Sequence, residues 1–406
     1  MAARDPQGVT APQVVFTVNG PGEISAWLWP LATELRRQRP DLRLAAFLLP
    51  CVFSSGAEAR VLREIGAVDT IATIRESWRA ILTGRMPEGV ARGGPTLLMH
   101  LGGEPALSLA LARRLGAPSM AYADHALGFS GRFDRLFASG LVAREGRLPG
   151  EPVGELMVDA AGLRRAQAPA RPAGRRRIAL FPGSRDYFVR PLLPYYAVSV
   201  DAIAADHPEV EWVMARSDYV SLDLLAALDR LPEDRSWRAR ALTLHRDDGP
   251  YLLTEGGTRI DVLTGAQALA TADLALTIPG TSTGELAASG IPMVVVVPTY
   301  LGHEVPLPGL AGHVGRIPVV GKSLKIALGH QVLRRMNALS QPNRRAGEAL
   351  VPEIVGRDLH GRIQTALRAL LERDTADLSD SLRAAMGSGG AAVRLASEIS
   401  QALPPR

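Results

Sequence analysis

Residues 272–298 read ADLALTIPGTSTGELAASGIPMVVVVP, and this stretch decides the fold. Leu274 to Ile278 is a short apolar run, and Pro279 to Gly284 is a loop of glycine and hydroxyl residues. Glu285 to Gly290 then has helical spacing, and Met293 to Pro298 is a second apolar run. A strand that turns through glycine into a helix and returns as a strand is a βαβ unit, the building block of a parallel sheet. The pattern recurs outward in both directions. VVFTVNGPGE (14–23) runs into the helical ISAWLWPLATELRRQRP (24–40), TLLMHLGGE (96–104) into PALSLALARRLG (105–116), and RRIALFPGSRD (176–186) is again strand then glycine loop. YLLTEGGTRIDVLTG (251–265) reads as a hairpin turning at Gly256–Gly257.

A chain of 406 residues is too long for one ordinary core and fits two α/β domains. Residues 1–12 read as a disordered tail and 13–167 as the first domain. The Pro-, Gly- and Arg-rich APARPAGRRR (168–177) reads as a linker, 178–360 as the second domain, and 361–406 as helices that pack back on the first. Hydrophobic residues make up 47% and charged residues 21%, a globular composition. The single cysteine, Cys51, excludes an internal disulfide framework and a CxxC metal site, and fits a reducing cytoplasm. The first residues lack the apolar core of a signal peptide, and no apolar run approaches the roughly 20 residues that span a bilayer. Any membrane contact is therefore expected to be peripheral. The net charge of +5 favours phosphates or anionic surfaces. Scattered arginines and sparse aromatics (5%) argue against a nucleic-acid partner.

Open α/β sheets bind ligands beyond the carboxyl ends of their strands, so the loops that follow strands hold the candidate residues. Gly280, Thr281, Ser282 and Thr283 open a helix, where backbone N–H groups and the helix dipole favour a phosphate, and Glu285 could accept both hydroxyls of a ribose. The plainer alternative is that Ser282-Thr-Gly-Glu285 forms a capping box that only satisfies the helix end. Gly183, Ser184 and Arg185 form a second such loop, with a guanidinium suited to a diphosphate; its alternative is a plain turn. Neither loop is a Walker A or G-x-G-x-x-G motif, so NTPase and dinucleotide chemistry lack support. In the first domain Asn19, Gly20, Gly22 and Glu23, and the stretch Gly102 to Glu104, set carboxylates beside glycines. Glu104 and Glu23 are candidate general bases, or else helix-end acids stabilised by the dipole. Asp124–His125 is a further candidate pair. No D-x-D, H-x-H or H-x-x-x-H spacing occurs, so no metal is expected.

These motifs, in this order, resemble the lipid-A-disaccharide synthase family, and more closely its related proteins of uncertain acceptor. NGPGE, LGGEPALSLALARRLGAPSMAY (101–122), VGELMVDA (153–160), FPGSR (181–185), residues 272–295 and PNRRAGEALVPEI (342–354) carry the resemblance over nearly the whole chain. It implies a GT-B fold, two Rossmann-like domains facing across a cleft. It also implies an inverting, metal-free transfer of a hexose or hexosamine from a UDP-sugar to a lipid-linked or glycan acceptor. Its UDP-binding positions fall on Gly183, Ser184, Arg185, Gly280, Thr281, Ser282 and Glu285, and on Asn343, Glu348 and Glu353. Its catalytic carboxylate falls at Gly103 or Glu104, of which only Glu104 titrates.

The family's A-G-E-x-S-G-D is here N-G-P-G-E-I-S-A-W, its D-x-P-D-F-N is H-L-G-G-E-P-A, and its G-H-P is Gly154-Glu155-Leu156. The departures lie in the acceptor half, so the donor class is expected to be kept and the acceptor to differ. Trp27, Leu28, Trp29, Trp78, Ile81 and Leu82 are candidates for peripheral docking on the cytoplasmic face of the membrane, or for helix core. A homodimer is left open. A UDP-sugar 2-epimerase and a non-catalytic nucleotide- or lipid-binding paralogue are the competing functions.

Overall fold

The computed structural model describes residues 11–405 except 52–53, 141, 143–145, 147, 169–173, 232–236 and 300–337. The chain divides into two compact units, residues 1–160 with 387–406, and residues 161–386.

The first unit carries a seven-stranded parallel sheet: β1 (Gln13–Val18), β2 (Arg43–Leu48), β3 (Thr70–Ala72), β4 (Thr96–His100), β5 (Ser119–Ala123), β6 (Arg135–Ala138) and β7 (Glu151–Pro152), in the order β3-β2-β1-β4-β5-β6-β7. Every residue of β1 and β4 is buried, as expected of strands in a parallel sheet covered on both faces, and their centres are apolar. Local chemistry sets the helix ends. Thr73 and Glu76 form a capping box ahead of the helix Ile74–Thr83, which stops at Gly84, and Pro105 opens the helix Pro105–Leu115, which stops at Gly116; both glycines are left-handed. The chain leaves β1 towards β2 on one side, and β4 leads to β5 on the other. The carboxyl ends of β1 and β4 are therefore a topological switch point.

Among the described residues the second unit has eight strands: β8 (Arg177–Phe181), β9 (Glu211–Arg216), β10 (Leu242–His245), β11 (Tyr251–Thr254), β12 (Arg259–Thr264), β13 (Leu274–Thr277), β14 (Met293–Pro298) and β15 (Glu353–Gly356), ordered β10-β11-β12-β9-β8-β13-β14-β15. The run β12-β9-β8-β13-β14-β15 is parallel, and β10, β11 and β12 pair antiparallel. The β11–β12 hairpin turns at Gly256 and Gly257, with Gly257 in the left-handed region. β8 leads to β9 on one side and β13 to β14 on the other, so a second switch point lies between β8 and β13.

The division between units falls after Ala160, inside the helix Leu156–Ala166, and thus ahead of the Pro- and Gly-rich segment expected to mark it. The C-terminal helices do not move as one block either. His360–Glu372 and Ala376–Met386 belong to the second unit, and only Ala391–Ala402 to the first. Side chains distant in sequence anchor this last helix. Asp159 accepts the N–H groups of Gly390 (2.5 Å) and Ala392 (2.7 Å) at its N-terminus, and Arg135 pairs with Glu398.

Candidate functional site

At the second switch point, β8 and β13 end side by side, with Phe181 opposite Thr277. Their following loops touch. Gly183 has φ +102, and a Cβ there would lie 3.0 Å from Ile278 Cδ1, so glycine answers both the backbone conformation and the close approach. Arg185, half-buried, is the N-cap of the helix Asp186–Asp206, and no side chain caps that helix end. Gly280, with φ +148 and nothing within 4 Å of a would-be Cβ, is the N-cap of the helix Thr281–Ala288, again without a side-chain cap. Two helix N-termini without a side-chain cap, with Arg185 at the start of one of them, thus lie at one switch point. Such an arrangement can bind a diphosphate through backbone amides, the helix dipoles and Arg185.

The capping-box alternative for this loop is not realised. The helix starts at Thr281, which puts Ser282 and Glu285 out of register with a cap, and Ser282 Oγ shares a hydrogen bond of 3.0 Å with Thr277 Oγ1 instead. Glu285 faces Arg164, Oε1 to Nε 3.5 Å, and both side chains are about 15% exposed. Thr281 is exposed and Ser282 half-buried. Thr283 departs from expectation: it is fully buried, donates to Gly280 O (2.7 Å) and accepts from Gln341 N (3.1 Å). It ties two helices together and has no exposed surface.

Asn343 and Glu353 also depart from their expected role. Asn343 Nδ2 donates to Val351 O and Glu353 Oε1, each at 2.9 Å, and Asn343 Oδ1 accepts Val351 N at 3.0 Å. Glu353 further accepts the N–H groups of Leu339 (2.9 Å) and Ser340 (2.8 Å) and the Ser340 hydroxyl (2.6 Å). The helix Gln341–Ala346 has no side-chain cap at Ser340, and the Glu353 carboxylate supplies acceptors at that end. Both residues brace this segment. Glu348 is exposed just beyond the helix.

The first switch point is furnished differently. Leu101 N and Gly102 N both donate to Thr17 O at 3.0 Å, drawing the loop after β4 against β1. A Cβ on Gly102 would lie 2.7 Å from Asn19 Oδ1 and 2.8 Å from Glu23 Cγ, so the loops after β1 and β4 are packed together. A Cβ on Gly20 would lie 2.9 Å from Glu23 Oε2. Asn19 Oδ1 is buried without a hydrogen-bond partner among the described residues. Gly22 and Glu23 are half-buried, and a π-helical turn at Ile24–Leu28 follows them, a feature often found beside functional sites. Glu104 is exposed, as N-cap of the helix Pro105–Leu115. Beyond β5, Asp124 Oδ1 lies 2.6 Å from Nδ1 of the exposed His125.

Sequence reasoning passed over His100. It ends β4 at 2% exposure, with Nδ1 2.9 Å from Ser108 Oγ and 3.2 Å from Thr17 Oγ1, while those two hydroxyls lie 2.8 Å apart. Burial first, and His125 second, hold its pKa down to about 4, so the ring is neutral at physiological pH. The available signal was a histidine closing a strand whose centre is apolar. Arg164, the partner of Glu285, carried no local signal.

The candidates for membrane docking divide. Trp27, Leu28 and Ile81 are buried and belong to the core, Trp29 is half-buried, and Trp78 (39%) and Leu82 (65%) are exposed and share one helix face with the exposed Ile74. Among the described residues no helix is long and apolar enough to cross a membrane.

No family model matches the chain. Over 236 residues it is 28% identical to lipid-A-disaccharide synthase of Anaeromyxobacter dehalogenans (strain 2CP-C), covering 56% of this chain and 50% of that protein. The chain thus spans about half the length of the curated relative it matches. Two solved structures resemble it in fold across both units. One, from Listeria monocytogenes, is described as a UDP-N-acetylglucosamine 2-epimerase (TM-score 0.51, 12% identity, 97% of this chain and 96% of that one). The other is the S. aureus MnaA–UDP co-structure (TM-score 0.53, 10% identity, 96% of each chain). The chain has the fold of the GT-B class, two Rossmann-like α/β domains with mainly parallel sheets.

Proposed function

We propose that this protein is an inverting glycosyltransferase that moves a hexose or hexosamine from a UDP-sugar to a hydroxyl of a lipid-linked or glycan acceptor. The pair of uncapped helix N-termini at the β8–β13 switch point carries the reading, with Arg185 beside them. Support comes from the partial likeness to a lipid-A-disaccharide synthase and from the like fold of the S. aureus MnaA–UDP co-structure.

In this reading Gly183, Ser184, Arg185, Gly280, Thr281 and Ser282 hold the diphosphate, and Glu285, oriented by Arg164, meets the ribose. Glu104, with Glu23 as the other candidate, takes the proton of the acceptor hydroxyl as its oxygen bonds to the anomeric carbon. The bond from that carbon to the diphosphate oxygen breaks, and UDP leaves with the electron pair. Amides and Arg185 stabilise the leaving charge, and no metal is assigned a part. Ile74, Trp78 and Leu82, with the neighbouring arginines Arg75 and Arg79, form the peripheral contact with a membrane on its cytoplasmic face.

Calorimetric titration with UDP, GDP and dTDP tests the donor assignment. UDP should bind and raise the thermal midpoint, and silence from all three nucleotides would refute it. A second reading, UDP-sugar 2-epimerase, is favoured by the Listeria monocytogenes structure of like fold. Product analysis with donor alone separates the two, since only an epimerase converts the sugar nucleotide without an acceptor.

A further inference from the structure

His100 has no part in the transfer as proposed, yet the groups around it fix where its proton sits and leave one of its nitrogens unused. Its Nδ1 lies 2.9 Å from Ser108 Oγ and 3.2 Å from Thr17 Oγ1, and the two hydroxyls lie 2.8 Å apart. Both are fully buried, and among the described residues each hydroxyl has only the other two members of this triangle as partners. Were Nδ1 to carry the ring proton, one buried O–H would be left without an acceptor. With Nδ1 bare, one hydroxyl donates to it, the other donates to that hydroxyl, and every proton is placed. The network therefore assigns the ring proton to Nε2.

Nε2 lies on the far side of the ring from that triangle. It has no hydrogen-bond partner among the described residues, and it keeps some accessible surface although the residue as a whole is only 2% exposed. The Phe133 ring packs against the imidazole at 5.4 Å. His100 closes β4, so it stands at the carboxyl end of the first sheet. The next loop on its own chain carries Glu104, and the loop after β5 begins with Asp124–His125 and reaches Phe133.

An enclosed N–H without an acceptor is unfavourable until a ligand supplies a lone pair. We infer that His100 Nε2 donates a hydrogen bond to a hydroxyl oxygen of the acceptor sugar and so helps to select and position that acceptor. This rests on the transfer reaction proposed above. The ring cannot serve as the base: the Nδ1 lone pair is taken, Nε2 already carries a proton, and burial, with His125 second, keeps the imidazole neutral. A donor on the attacking oxygen would draw on the electron pair that forms the new bond. The hydroxyl held by His100 is therefore a neighbour of the reacting one, and its capture orients the ring for attack.

Octyl β-glucoside, a hexose on an apolar chain, serves as the probe below its micelle-forming concentration, with the full chain saturated with UDP. Nitrogen NMR of histidine-labelled protein should show His100, identified by the signal lost in His100→Asn, protonated at Nε2, and that signal should shift when the probe is added. By calorimetry His100→Asn, which keeps an acceptor where Nδ1 stood and removes the Nε2 donor, should weaken the probe about three- to tenfold with UDP affinity unchanged. His100→Gln returns an N–H to the Nε2 position and should bind the probe within about threefold of the parent, although its thermal midpoint falls with the loss of the Nδ1 bonds. A purely structural role predicts the reverse order, with the Asn variant intact and the Gln variant impaired. A proton on Nδ1, an Nε2 signal indifferent to the probe, or parental affinity in His100→Asn would each overturn the inference. Silence from UDP in the parent refutes the transfer reaction itself, whereas UDP bound beside an indifferent Nε2 refutes only the role of His100.

Discussion

The two sheets open at equivalent places, between β1 and β4 and between β8 and β13, and the openings carry opposite chemistry. The first is filled by its own side chains: Gly102 has no room for a methyl group, carboxylates stand at Glu23 and Glu104, and a neutral imidazole is buried beneath. The second is bare: Gly280 faces open space, two helix ends have no side-chain cap, and the carboxylate on its helix is paired with Arg164. One topology has thus produced an acidic, packed opening suited to proton transfer and an amide-lined opening suited to phosphate. The identity of a few loop residues makes the difference.

That contrast can be broken at either end. The largest effect is expected from Glu104→Gln, which should lower turnover by about 10²- to 10⁴-fold while UDP affinity stays at the parental value. Equal losses in turnover and in UDP affinity would remove the division of labour. Arg185→Gln should do the reverse, weakening UDP binding roughly 10- to 100-fold by calorimetry.

The buried imidazole gives the packed opening a pH signature. His100 titrates near 4 in the folded chain, against an ordinary value near 6.5. Below pH 6.5 the unfolded chain takes up a proton that the folded chain refuses. Stability should therefore be undiminished above about 6.5 and fall as pH drops towards 4, by up to about 3 kcal/mol. Denaturation at a series of pH values should show this slope in the parent and lose it in His100→Gln; an unchanged slope in the variant would assign it to other groups. The smallest effect concerns Gly102→Ala, whose methyl group would collide with Asn19 and Glu23 and cost about 1–3 kcal/mol in chemical denaturation. Gly116→Ala, placed where a Cβ meets nothing, strains only its left-handed backbone and serves as the comparison.

Much of this was legible along the chain. Strand, glycine loop and helix alternate over a few residues, and the physics behind them is local: apolar periodicity, φ above zero at glycine, proline at helix starts. Residues 272–298 therefore announced a βαβ unit, and Gly183 and Gly280 a pair of loops, before any contact was known. Periodicity says that one face of a helix is covered but not by what. Trp27 and Trp78 looked alike as candidates, and only packing buried the first and left the second exposed. Thr283, Asn343 and Glu353 carried the right donors and acceptors for a ligand, yet partners in the same fold consumed them. Arg164 and Glu285 meet across 121 positions of chain, the difference between their numbers, and no local pattern encodes that pairing. Sequence alone determined which segments form strands, turns and helices, because those preferences act between neighbours. Tertiary structure decided which polar groups stay available to a ligand, because burial and hydrogen-bond partners are settled by residues far apart in the chain.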